Sequence, residues 1–459
     1  MTGYVFLFIL AMSAAAFFVG RMTAAGFAAQ DGVRPHSRPL YHGAFVAVWV
    51  GVPALVLVLV WLLLQPTVID AFLIASLPPD LTAGTTAAQR TLILSEIKNV
   101  AAGRMFTEPR DAVRQAAASY NAWAEIARWA MVAAVAALMI AVLIVARARL
   151  SPRFRARNNF ERFMTVLMIS CSVVAIITTV GIVVSLLFEA YRFFERVPLS
   201  EFLFGLNWEP QIPLRADQVA GLGAFGAIPV FTGTLLIAAI AMLVATPIGL
   251  YSAIYLVEYA DERLRAVVKP LLEILAGIPT VVYGFFAVLI VAPSVREFGS
   301  IFGVVVAPNS AIAAGGVMGI MLIPFVSSLS DDALQAVPAA MRDGSLAVGA
   351  TRAETMMKVM LPAALPGIMG GILLAVSRAI GETMIVVMAA GLIATLTINP
   401  LESVTTVTVQ IVTLLIGDTE FDNPKTLAAF ALGLMLFIIT LGLNVLALRI
   451  VQKYREKYE

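Results

Sequence analysis

Nine stretches of this sequence are apolar over membrane length, and that leaves few folds open. They fall at about residues 2–20, 43–64, 129–146, 163–188, 229–257, 274–295, 311–329, 366–395 and 426–448. A helix needs about 20 apolar residues to cross a hydrocarbon core. Inside that core every backbone N–H and C=O must be paired within the segment, so such runs become helices. The chain is 60% hydrophobic and 13% charged, against about 25% charged in soluble domains. It therefore reads as an all-α integral membrane protein. The run 298–330 is uncharged throughout, but Pro308 and Asn309 break it, so only its second half should span.

Orientation follows from lysine and arginine in the short loops. Arg147, Arg149, Arg153, Arg155, Arg157 and Arg162 lie between the third and fourth runs, which puts that loop in the cytoplasm. Alternation then places Arg263, Arg265 and Lys269 inside, with Arg342, Arg352 and Lys358. The tail carrying Arg449, Lys453, Arg455 and Lys457 is inside as well. The loops 296–310 and 396–425 carry only Arg296 and Lys425 and fall outside. Nine spans with a cytoplasmic C-terminus leave the N-terminus in the periplasm. Residues 1–29 hold an apolar stretch and small residues near Ala25, yet no positive charge precedes the stretch and Arg21 follows it. That is the pattern of an N-out anchor rather than a cleaved signal.

The basic loop divides the chain. Residues 1–155 form an N-terminal extension with three spans, and residues 156–459 a core with six. Residues 65–127 are the one sizeable soluble segment and are periplasmic by alternation. Thr86 to Ala102 reads as an amphipathic helix with Leu92, Ile93, Ile97 and Val100 on its apolar side. Thr107 with Pro109 opens a second helix, running through Val113, Tyr120 and Trp123 into the third span. A small helical cap and a binding or sensing module both fit this insert.

Several chemistries are missing. The single cysteine, Cys171, excludes an intrachain disulfide. His36 and His42 are the whole imidazole supply. They read as loop residues near the headgroups, and without partner ligands they make no metal site. No G-x-x-x-x-G-K-[ST] phosphate loop occurs, so this chain is not expected to be an enzyme or to bind a cofactor. If ATP drives it, a separate chain hydrolyses the nucleotide. A net charge of +2 gives no reason to expect nucleic acid.

The stretch Asp343 to Pro362, DGSLAVGATRAETMMKVMLP, stands apart as a polar island between two spans. Pro338 suits a first helical turn, and Ala339, Ala340, Met341, Leu346, Ala347 and Val348 give the helix an apolar side. Gly349 ends it. Thr351 and Glu354 form a Thr-x-x-Glu capping box opening a second helix, which Pro362 is expected to stop. So hydrophilic a hairpin cannot face lipid. It lies on the membrane surface, either as a knob for another protein or as an amphipathic hairpin with Leu346, Met357 and Val359 against lipid.

This spacing resembles the EAA loop of ATP-binding-cassette importer permeases, in outline E-A-A-x-x-x-G, nine residues, then I-x-L-P. Asp343, Gly344 and Ser345 stand where E-A-A would, Gly349 is the glycine, and Val359-Met360-Leu361-Pro362 is the end. All three opening positions differ, with Asp343 keeping the charge. Glu273 to Gly284, EILAGIPTVVYG, and Gly370 to Thr383, GGILLAVSRAIGET, resemble the PstC-type subunit of the bacterial phosphate-specific importer over about residues 160–455. The resemblance implies a six-helix permease core plus about three extra N-terminal spans, in a bacterial cytoplasmic membrane. Asp343, Gly344, Ser345, Gly349, Leu361 and Pro362 would belong to a cytoplasmic loop, 330–365, that couples to an ATPase. The implied partners are a second, PstA-type permease, a PstB-type ATPase dimer holding ATP and magnesium, a periplasmic PstS-type phosphate-binding protein, and membrane lipid. Sulfate or molybdate importers remain rivals. So does an ion-coupled secondary transporter, although no duplicated half is evident.

Arg378 and Glu382 are the only opposite charges four apart deep inside a span. With a helix start near Pro366, Arg378 lies about 18 Å along it. An arginine there needs a protein or water environment and a partner, and Glu382 is one turn away. The pair is either an anion-pathway arginine restrained by a carboxylate or a structural ion pair, and the family resemblance favours the pathway. Glu273, opening the sixth span, reads as a packing or interfacial charge. Gly315-x-x-x-Gly319 and Gly367-x-x-x-Gly371 read as helix contacts.

Overall fold

Among the described residues nine helices are long and apolar enough to cross a membrane. The structure, a computed structural model, describes residues 2–30, 36–77, 87–104, 110–210, 223–416 and 423–454. In order come α1 (Thr2–Gln30), α2 (Pro39–Ser76), α3 (Ala87–Ala101), α4 (Asp111–Ala148), α5 (Ala156–Phe194) and α6 (Leu199–Phe204). A short antiparallel pair, β1 (Trp208–Glu209) with β2 (Ala224–Phe225), follows. Next are α7 (Ile228–Ile254), α8 (Glu262–Ala276), α9 (Thr280–Phe286), α10 (Ala292–Ile301), α11 (Ala311–Gln335) and α12 (Ala339–Ala347). The chain ends with α13 (Arg352–Thr355), α14 (Leu361–Gly381), α15 (Met384–Ala389), α16 (Val407–Leu415) and α17 (Pro424–Tyr454). Three π-turns, Tyr255–Tyr259, Ala287–Val291 and Met356–Met360, extend α7, join α9 to α10, and join α13 to α14.

Contacts divide the chain into two compact units, Met1–Ile177 and Thr178–Glu459. The division falls inside α5, whereas the basic loop around the start of that helix marks a boundary in the sequence. In the first unit α1 and α4 both pack on α2. Val50, Ala54 and Val58 of α2 are buried with Met131, Val135 and Met139 of α4. The insert is helical. Ile97 of α3 is buried with Leu73, Val113 and Ala117, and Lys98 reaches Asp70 at 2.7 Å. Ile93 and Val100 join this contact, but Leu92 is 67% exposed, on the wrong side of the helix to share it. Thr86, Thr107 and Pro109 lie outside the described residues, as do Arg455 and Lys457. α4 carries Val113, Tyr120 and Trp123 unbroken into the third span.

His42 corrects the loop reading. It is fully buried in α2, with the rings of Phe27 and Phe154 at 6.5 and 6.1 Å. Pro39 at the start of α2 nucleates the helix before the apolar run begins, so residues that read as loop form its first turn.

In the second unit α11 is the central helix. Its Ala314, Val317, Met318 and Leu322 share a core with Ile237, Ala241 and Ala245 of α7 and with Ala375 and Ala379 of α14. A Cβ on Gly315 or Gly319 would press Ile240 or Val244 at 2.8 Å, and one on Gly367 or Gly371 would press Ala333 or Leu329 at 2.8 or 2.9 Å. Both small-residue pairs are helix contacts, as their spacing suggests. α17 packs on α14 and α16. Residues 165–182 of α5 are exposed around the whole helix.

Three boundaries differ from the sequence reading. The run 366–395 is not one span, because α14 ends at Gly381 and short α15 follows. Glu273 does not open the sixth span. It lies in the last turn of α8, a helix with no buried residue, and the span starts at Thr280 behind Pro279. The loop 396–425 contains α16, whose Val407, Val409 and Leu414 are buried. Apolar residues lie on both sides of the breaks at Gly381 and Pro279, so a hydropathy window reads across them, while the threonines of 405–408 hide α16.

Candidate functional site

The polar island folds as a helical hairpin. Pro338 stands just before α12 at its N-cap position rather than in the first turn, and Gly349 turns the chain with φ +92°, a conformation that costs other residues about 1–2 kcal/mol. Thr351 and Glu354 make the capping box in full. The Glu354 amide donates to Thr351 Oγ1 at 3.3 Å, and the Thr351 amide donates to Glu354 Oε2 at 3.0 Å. Ser345 and Thr355 bridge the two helices through their hydroxyls at 3.0 Å. Met356, Met360 and Ala364 seat the hairpin on Ala253 and Leu334, with Leu361 partly buried beside them. Asp343, Gly344 and Gly349 are exposed, as are Val348 at 86% and Met357 at 70%.

Pro362 does not stop the second helix. It is exposed in the first turn of α14, and the helix runs on to Gly381. The π-turn at Met356–Met360 explains this. Leu361 N–H donates to the Met356 carbonyl, five residues back, so the register is widened just before the proline ring and its missing N–H arrive.

Arg378 and Glu382 are not paired. Arg378 sits in the last turn of α14, about 26 Å from the start of α14 and not midway along a helix from Pro366. Its guanidinium lies over the Phe325 ring at 5.4 Å, on the exposed side of the helix. Glu382 has left the helix, with φ −69° and ψ 132°. Its Oε1 accepts from the amides of Met384 and Ile385 at 3.1 and 3.5 Å, capping α15. The four-residue spacing brings two charges together only while both are helical, and the chain breaks between them. Among the described residues Arg378 therefore has no carboxylate partner.

Sequence reasoning missed the buried acids near the ends of α7 and α11. Asp331 of α11 is 3% exposed and accepts from Arg265 and Lys269 of α8 at 2.8 and 2.7 Å, and from Gln335 at 2.7 Å. Beside it lies a cleft of about 220 Å³ lined by Lys269, Glu273, Phe325, Ser327, Ser328 and Asp331. Glu258, in the first π-turn of this unit, meets Arg342 of the hairpin at 3.2 Å. The available signal was an acid at the edge of an apolar run, Glu258 just after Tyr255 to Val257 and Asp331, with Asp332, just after the run 311–329.

A second missed feature stabilises the break after Gly381. Gln410 is buried and donates to the Leu392 carbonyl at 2.7 Å, while accepting from the Trp208 indole at 2.9 Å. Thr408 donates to the Glu382 carbonyl at 2.8 Å, and Thr234 accepts from the Val407 amide at 3.0 Å. Non-helical backbone at membrane depth persists only where protein groups pair it, and SVTTVTVQ, residues 403–410, supplies them.

Residues 6–178 match a family described as a phosphate ATP-binding cassette transporter. Residues 245–456 match the binding-protein-dependent transport system inner membrane component family. The probable ABC transporter permease protein YqgH of Bacillus subtilis is 31% identical over 62% of this chain and 89% of its own. The phosphate transport system permease protein PstC 1 of Mycobacterium tuberculosis is 31% identical over 50% of this chain and 73% of its own. A solved bacterial alginate ABC transporter, in complex with its pentasaccharide-bound periplasmic protein, is 14% identical over 66% of this chain and 99% of that one, with a TM-score of 0.46.

Proposed function

We propose a mechanism for this chain from the premise that it belongs to the PstC family of phosphate transport permeases. It is a multi-pass membrane permease subunit of an ATP-binding-cassette importer, and it imports inorganic phosphate. Arg378 carries the mechanism. An exposed arginine in a membrane helix costs at least about 2.5–3.5 kcal/mol against lipid, so Arg378 faces water or a second subunit. Its planar fork gives phosphate two parallel hydrogen bonds. Glu382 serves the same pathway by holding the turn that follows. A PstA-type permease completes the pathway opposite Arg378, and a PstS-type binding protein delivers phosphate from the periplasm.

The exposed tip of the hairpin 338–362, from Asp343 to Met357, is the ATPase contact. Its exposed Val348 and Met357 beside Asp343 and Gly344 support that reading, because apolar side chains on a polar knob are left for a protein partner. A PstB-type ATPase dimer holds ATP and magnesium and grips one knob from each permease. Coupling then requires that the ATPase bind the two transport states with different affinity. The N-terminus is periplasmic and the C-terminus cytoplasmic. Residues 1–155 are an addition to the transporting core, which begins at 156.

The test is uptake by the complete importer in proteoliposomes, with ATP inside and the binding protein outside. Phosphate should accumulate, and sulfate or molybdate in excess should leave its uptake unchanged. Uptake without ATP, or competition by either oxyanion at equal concentration, refutes the assignment.

A further inference from the structure

Glu258 is a buried charge that the transport reading leaves unused. It lies in the π-turn Tyr255–Tyr259 that ends the α7 span, with its side chain 1% exposed. Arg342 donates to Oε1 at 3.2 Å, and Oε2 is buried without a hydrogen-bond partner among the described residues. Arg342 belongs to α12 of the knob and is more than one-third exposed. No other ion pair among the described residues ties the knob to a span; Glu354 with Lys358 stays within the hairpin. The apolar seat around the pair, from Ala253 and Val257 to Met341 and Met356, is non-directional and permits sliding. A buried ion pair adds little net stability, and its best-attested use is to select one arrangement over another.

We propose that Glu258 is the positioning residue through which movement of the knob reaches the α7 span. This rests on the reading of the knob as the ATPase contact. Arg342 pulls on Glu258, and the π-turn that holds Glu258 is the point at which the end of α7 yields. The unfilled Oε2 is the acceptor for a second N–H of Arg342 in the other transport state, so the pair is single-bonded here and forked there.

The test uses the complete importer in proteoliposomes, reading phosphate moved per ATP hydrolysed. Glu258→Gln and Arg342→Gln should each lower that ratio at least about fivefold, the lower end of site-to-site coupling. The ATPase should still co-purify and hydrolyse ATP. The double variant should fall no further than the worse single, because both remove one interaction. Arg342→Lys should recover part of the ratio. An unchanged ratio in both singles, or additive losses in the double, overturns the proposal. Loss of the ATPase from Arg342→Gln also overturns it, since the pair then only seats the knob. Arg342→Gln carries the test by itself where Glu258→Gln does not assemble. If deletion of 343–349 leaves the ATPase bound, the knob reading itself has failed, and this proposal falls with it.

Discussion

The Arg378 guanidinium stands 5.4 Å from the centre of the Phe325 ring, reaching from α14 to α11. A cation over an aromatic face gains only about 0.5–1 kcal/mol at an exposed site. The ring orients the fork without occupying its N–H groups, so an anion can take them. A carboxylate in the same place would compete with phosphate for every donor.

Arg378→Gln should abolish phosphate uptake while the complex stays assembled, read by radiolabelled uptake beside a blue-native gel. Phe325→Leu should cost only about two- to fivefold, the equivalent of the cation–ring contact. Normal uptake by Arg378→Gln removes the pathway role, and loss of assembly makes the arginine structural.

Glu382→Ala should lower the melting temperature of the purified chain, through loss of a cap worth about 0.5–2 kcal/mol. Exchanging the two charges, Arg378→Glu with Glu382→Arg, should restore nothing. Recovery of uptake in the exchanged variant would show that the two side chains pair after all.

Gly349→Asp, or deletion of 343–349, should release the ATPase and spare membrane insertion. The substitution puts a side chain at φ +92°, at a cost of about 1–2 kcal/mol, while the spans are untouched. Co-purification of the ATPase reads the outcome. Binding retained together with phosphate-stimulated hydrolysis sinks the coupling role.

Asp331→Asn should destabilise the purified chain by about 1–3 kcal/mol. Loss of one partner from a fully buried pair costs more, but Arg265 and Lys269 are each about one-third exposed and partly screened. Limited proteolysis should find new cleavage at α8 first. A melting curve and digest identical to the parent's would mean that the ion pairs do not hold α8 on α11.

Cysteines placed at Leu92 and Gln115, in a Cys171→Ala background, should react with a membrane-impermeant maleimide in intact cells. Both positions are exposed on the insert. Reaction only after lysis inverts the extension and breaks the nine-span topology. Cys171→Ala itself should be silent, since that thiol has no disulfide partner among the described residues.

The parts of the fold that depend on composition or local backbone chemistry were legible in the sequence. The nine runs became nine span-length helices, and the Thr351–Glu354 box and Gly349 turn formed as their spacing requires. What depends on tertiary pairing was not. Arg378 and Glu382 have the right interval, yet the helix ends between them because Glu382 is recruited to cap α15. Pro362 looks like a stop, yet a π-turn absorbs it. Asp331 and Glu258 find cations 62 to 84 residues away along the chain, at separations no local pattern encodes. The hydroxyls of Thr406 and Thr408 give no apolar signal, so a packed segment passed for a surface loop.

The three π-turns bear on how such a chain changes over generations. Each holds one residue more than an α-turn needs, while the helix faces on either side keep their neighbours. A π-turn has room for one inserted residue, one codon gained without a loop to hold it. Where three occur in a single core, counting residues between spans does not tell which faces two descendants share. Helix register against this chain has to be matched on either side of each π-turn separately.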